Sequence, residues 1–161
     1  MQDLYIETIT LCDFSRSRSQ VAASFAADEL QFTISHWYPD VDFYELEKRY
    51  GLAYMEKIYF HLLIFDFSKL VSLCPKYIDL GPMSKFHTPE FETLWDAIFK
   101  GSWAQWRYEN NLPHYSGPEF LSEAGEGYPS DVLFEPIGPE VLNFVGGGKD
   151  SLVSLSLLDK A

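Results

Sequence analysis

Cationic residues are scarce in this chain: 12 Lys and Arg stand against 24 Asp and Glu among 161 residues, a formal net charge of -12. That balance excludes broad electrostatic attraction to nucleic acid or to an anionic membrane, so any anionic ligand must be held by a local cluster. Cysteine is scarcer still. Cys12 and Cys74 are far apart and form no Cys-x-x-Cys pair, which indicates neither a disulfide framework nor a zinc site and fits a cytoplasmic setting. Long apolar runs are missing too. The longest, Tyr59 to Phe67, is broken by His61 and Asp66, so no membrane span is expected. The first residues carry Asp3 and Glu7 and lack a basic start with an apolar run behind it, so no secretory signal is expected either. His36, His61, His87 and His114 share no metal-ligand spacing, and none is assigned to a metal. What is present, 47% apolar and 17% aromatic residues, is the composition of a folded chain able to bury a sizeable core.

The first forty residues read as an antiparallel meander. Leu4 to Leu11 is extended, Asp13 to Ser19 is a polar turn, and Val21, Ala23 and Phe25 alternate. A second turn at Ala27-Asp28-Glu29 precedes the alternation of Phe32, Ile34 and His36. Glu45, Glu47, Lys48 and Arg49 read as an exposed helical face. Leu52, Met55, Ile58, Tyr59, Leu62 and Phe65 recur at helical spacing and predict an amphipathic core helix, with Lys69 just past its end. A short strand at Tyr77 to Leu80 stops at Gly81-Pro82. Thr88 then reads as an N-cap, with Pro89 in the first turn and Glu90 and Glu92 at the positive end of the dipole. Gly101 divides that helix into two short ones or bends it. Residues 113–139 hold five prolines and four glycines and read as a linker or irregular connection. An α+β N-terminal domain over residues 1–112, a meander plus helices, is the fold expected.

The motif richest in chemistry lies near the other end. Leu142-Asn143-Phe144-Val145 runs into Gly146-Gly147-Gly148-Lys149-Asp150-Ser151 and then an apolar stretch from Leu152 to Leu158. Strand, glycine turn and helix in that order describe a pyrophosphate-binding loop. Residues without a Cβ let consecutive backbone N–H groups approach phosphate oxygens closely, and a helix starting near Asp150 or Ser151 would aim its positive end at the same anion. Lys149 adds a charge, Ser151 a donor, and Asp150 is read as helix cap and Mg²⁺ contact. The G-x-x-x-x-G-K-[ST] pattern is excluded, because Asp150 follows the lysine.

These residues resemble the Ser-Gly-Gly-x-Asp-Ser fingerprint of the PP-loop ATP pyrophosphatases, with Gly146 where that family usually has its first serine. The resemblance implies that residues 140–161 begin a Rossmann-like α/β nucleotide-binding domain. The pocket of such a domain needs later strands, so the chain is expected to be the N-terminal part of a longer protein. The order of segments is also similar to that of the UDP-N-acetylmuramoyl-L-alanyl-L-glutamate epimerases of peptidoglycan synthesis. The likeness rests on the glycine-first loop, on Phe65-Asp66-Phe67-Ser68-Lys69 after the core helix, and on the stretch from Leu94 through Gly101 to Asn111-Leu112. Ser102 and Trp103 replace the Leu-Gly usual there. This resemblance implies an isomerase: ATP with Mg²⁺ adenylates the terminal L-glutamate of the UDP-muramoyl-dipeptide, a base inverts it, and AMP and pyrophosphate leave. Gly146, Gly147, Gly148, Lys149, Asp150 and Ser151 would bind the nucleotide, and Lys69, Arg107, Tyr108 and Asn111 are candidates for substrate contact. The base and acid are not identified by the sequence. Another PP-loop adenylating enzyme, tRNA-modifying or amidotransferase-like, or a non-catalytic nucleotide-binding module are the alternatives.

Overall fold

A computed structural model describes residues 6–125 and 148–159. Its described residues form a mixed α+β fold around an open five-stranded sheet, in the order β3-β2-β1-β4-β5. β1 (Thr8–Arg16), β2 (Gln20–Ala27) and β3 (Leu30–Trp37) make the expected meander. β4 (Tyr77–Asp79) pairs parallel to β1, and β5 (Glu119–Phe120) pairs parallel to β4. β5 stands within the proline-rich stretch. Residues 126–139, the remainder of that expected connection, lie outside the described residues.

The turn expected at Asp13 to Ser19 is shorter than the sequence suggested. β1 continues to Arg16, and the reversal is closed by Ser17 N–H donating to the Gln20 carbonyl at 2.8 Å. A β-bulge between Leu11 and Asp13 explains the misreading. One extra residue reverses which side chains point inward, so Ile9 and Leu11 are followed on the same face by Phe14 and Arg16. The register then sets Arg16 beside Val21 and Val21 beside His36, one row across three strands.

That inner face packs against α2 (Leu52–Leu70), which follows α1 (Phe43–Tyr50). Asp42 caps α1 by accepting from the N–H groups of Tyr44 and Glu45 at 3.1 and 3.2 Å. α2 is five residues longer than the segment predicted and is rotated relative to it. Met55 and Tyr59 are buried as expected, but Phe60, Leu63, Ile64 and Phe67 complete the buried face, whereas Leu52 and Phe65 are exposed. The helix is apolar nearly all round, so periodicity leaves its phase open.

Thr88 caps α3 (Pro89–Ser102) through its hydroxyl, which accepts from Phe91 N–H at 3.2 Å. α3 runs through Gly101, and the break falls at Trp103, before α4 (Ala104–Glu109). Phe91, Trp95 and Phe99 of α3 join Phe60 and Phe120 in an aromatic layer, with the Phe60 and Phe91 ring centres 4.8 Å apart. Rings offset and tilted at such distances add to the burial term. Between β4 and α3, Gly81 has a φ of +51°, and a Cβ built on it would lie 1.9 Å from the Leu11 carbonyl oxygen. Only glycine fits that crossing. Among the described residues no helix is long and apolar enough to cross a membrane.

Candidate functional site

Gly146 and Gly147 lie outside the described residues; Gly148 to Ser151 lie within them. The helix expected after the glycines is present as α5 (Lys149–Leu158). It begins earlier than expected. Gly148 is the N-cap, so Asp150 is not the cap but sits in the first turn. A Cβ on Gly148 would meet no atom within 4 Å among the described residues. Lys149 and Asp150 are exposed there, and Ser151 is half-buried. A helix start of this kind presents N–H groups that have no partner within the helix, together with the positive end of its dipole. The donor set fits a nucleotide's phosphates, and Asp150 offers an oxygen ligand of the kind Mg²⁺ takes. α5 buries none of its side chains among the described residues, and Leu152, Val153 and Leu157 are each more than half exposed.

The candidate substrate residues fall in two places. Arg107, Tyr108 and Asn111 share α4 and the turn after it. The Arg107 guanidinium donates to the carbonyls of Phe99 and Lys100 at 3.1 and 2.6 Å, closing the C-terminal end of α3. Tyr108 is 85% exposed, and Asn111 takes a left-handed φ of +56°. Lys69 is elsewhere. It lies inside the last turn of α2 rather than past it, and its ammonium donates to Asp66 Oδ1 at 3.0 Å.

Asp66 was not among the candidate site residues read from the sequence. Its carboxylate is fully buried and also meets Nε2 of His36, at 3.0 Å from Oδ1 and 2.8 Å from Oδ2. A buried carboxylate is costly unless paired and hydrogen-bonded, and both conditions are met here. The one usable signal was Asp66 itself, the lone acid in an otherwise apolar run; its partner thirty residues earlier is set by topology, beyond the reach of any spacing rule.

Two turns earlier on α2, Tyr59 anchors a second polar cluster. Its hydroxyl donates to Glu47 Oε1 at 2.8 Å, and the Arg16 guanidinium clasps both oxygens of the same carboxylate. Glu47 is therefore turned inward, contrary to the exposed face expected for its segment. Its hydrogen bonds to Arg16, and then to Tyr59, hold its carboxyl below the ordinary carboxylate range against a burial effect of opposite sign. Burial first, and then Glu47, raise the Tyr59 phenol.

A third cluster joins α3 to the segment after β5. His87 Nδ1 lies 2.8 Å from Ser122 Oγ, and its Nε2 lies 3.4 Å from Glu92 Oε2 without a hydrogen bond. The residue types match a nucleophile, base and acid, but the imidazole is 1% exposed and enclosed by Phe91 and Phe120. Its role is to pin Ser122, as does the Gly125 N–H on the His87 carbonyl.

Comparison of the chain with family models, with curated proteins and with solved structures returns no match. The functional reading therefore rests on the residues themselves.

Proposed function

We propose that the chain supplies the pyrophosphate loop of an ATP-dependent, cytoplasmic epimerase. Its substrate is the terminal L-glutamate of UDP-N-acetylmuramoyl-L-alanyl-L-glutamate. The observation that carries this reading is the sequence run Gly146-Gly147-Gly148 followed by Lys149, Asp150 and Ser151, which form the first turn of α5. Glycine where backbone must meet phosphate, a cation beside it and a helix start behind it are three requirements of one task. The exposed leucines of α5 support it further, since a helix that carries a phosphate loop packs its apolar side into a nucleotide domain.

The chemistry explains the need for ATP. A free carboxylate resists loss of its α-proton because the resulting carbanion adds charge beside charge. Converting it to an acyl-adenylate removes the first charge and offers a carbonyl to accept the electron pair. Lys149 would hold the departing pyrophosphate and Asp150 the Mg²⁺ that shields it. Lys149→Ala should bring substrate-dependent pyrophosphate release down by at least about a hundredfold, the scale of losing one electrostatic stabiliser of a developing anion. Unchanged turnover in that variant would remove Lys149 and the loop from the chemistry.

A further inference from the structure

We propose that β3 is the interface at which a second copy of this chain joins the sheet, the two β3 strands pairing antiparallel about a two-fold axis at Thr33. This inference goes beyond the epimerase reading and does not rest on it.

β3 is the outermost strand of the sheet and pairs with β2 along all eight of its residues, Leu30 to Trp37. One position beyond the Gln20–Trp37 pair, the Tyr38 N–H donates to the Ser19 carbonyl at 2.8 Å. Residues of an antiparallel strand bond alternately to one side and the other, so the even-numbered residues of β3 bond to β2. The N–H and C=O groups of Gln31, Thr33, Ser35 and Trp37 therefore point out of the sheet, and among the described residues they have no backbone partner. That is roughly 27 Å of open ladder.

A free edge of this length is a template for another strand, and folded chains keep such edges short, charged, bulged or interrupted by proline. The opposite edge of this sheet is managed in that way, because β5 has two residues and follows directly on Pro118. β3 has no such guard. Leu30 to Trp37 contains no Lys, Arg, Asp, Glu, Pro or Gly, and its register with β2 runs without a bulge. The inner face is also left incomplete there. Val21, Ala23 and Phe25 of β2 are buried, whereas Phe32 and Ile34 are only partly so, and Leu30 and Trp37 at the two ends are 64% and 71% exposed.

Charge and parity select the occupant. A chain of formal net charge -12 repels its own copy over most of its surface, and β3 is a strand without charge. In both copies the odd-numbered residues bond outward and the even-numbered side chains face the α2 side. Two β3 strands keep both properties only where odd meets odd and even meets even. An axis at Thr33 does so: Thr33 meets Thr33, Gln31 meets Ser35, Leu30 meets His36, and Phe32 meets Ile34 twice. The last is a pairing of aromatic with β-branched side chain, favourable across strands. An axis at Ile34 would set Phe32 against His36 instead. Glu29, just before the strand, comes opposite Trp37, so no acid faces an acid.

Sedimentation equilibrium of the full chain, with amide hydrogen exchange at low and high protein concentration, tests this. The expected result is a dimer in which the amides of Gln31, Thr33 and Ser35 exchange at least about tenfold more slowly than in the monomer. Thr33→Lys and Thr33→Glu, both on the solvent-facing side of the sheet, should each raise the dimer dissociation constant at least about tenfold by setting like charges across the axis. An equimolar mixture of the two variants should restore the dimer, a recovery that requires Thr33 to face Thr33. A chain that stays monomeric up to about 1 mM overturns the proposal. So does a dimer that both charge variants leave unchanged. Edge amides already slow in the monomer would show that the chain covers β3 with its own residues, which also overturns it. Should neither charge variant fold, the wild-type amides decide: slowing on dimerisation at Gln31, Thr33 and Ser35 supports the interface, and slowing only elsewhere overturns it.

Discussion

Glu47 and Asp66 turn their carboxylates toward the inner face of the sheet, and each is met by a partner from the same cross-strand row, Arg16 and His36. For Glu47 the consequence is a pH dependence whose sign follows from its lowered carboxyl. The folded protein binds a proton there less readily than the unfolded chain, whose value is near 4.5. The stabilisation is therefore complete above that pH and is lost as pH falls through the lower folded value. Glu47→Gln should reduce stability near neutrality by about 1–3 kcal/mol, the range for charge-assisted hydrogen bonds. Urea unfolding at neutral and at acid pH checks this, with the two proteins converging in acid. A gap that stays constant with pH would contradict the assignment.

At the scale of elements, the strands were the most legible feature of the sequence. Val21, Ala23, Phe25 and Phe32, Ile34, His36 alternate because one face of each strand is the more buried, fully in β2 and by half in β3, and the structure keeps that pattern. The cap at Thr88 was equally readable, since it depends on local chemistry alone. Two features were not. The bulge after Leu11 reverses the alternation of β1, which disguised Phe14 and Arg16 as turn residues. The uniform apolarity of α2 concealed both its phase and its length, and so placed Lys69 outside the helix. The run Gly146 to Ser151 could be singled out from the sequence because a glycine run is a local signal, whereas the contact of His36 with Asp66 was not legible because a strand and a helix must first be docked. Gly81 shows how tightly that docking is set, for it carries the crossing of the chain over β1. Gly81→Ala should cost at least about 1–3 kcal/mol from the left-handed backbone alone, with the clash on Leu11 added. A urea midpoint equal to wild type would show that the crossing is not so constrained.

At the scale of the whole molecule, the chain is strongly acidic yet is read as a binder of polyanions, and the two statements are compatible only if positive potential is concentrated. The start of α5 would supply it with its helix dipole and Lys149. The measurement that tests this most directly is pyrophosphate release by the complete protein with ATP, Mg²⁺ and UDP-N-acetylmuramoyl-L-alanyl-L-glutamate, followed by chiral analysis of the recovered glutamate. The account predicts pyrophosphate that depends on this substrate, together with D-glutamate. Pyrophosphate with only L-glutamate recovered, or no substrate-dependent pyrophosphate at all, would contradict it.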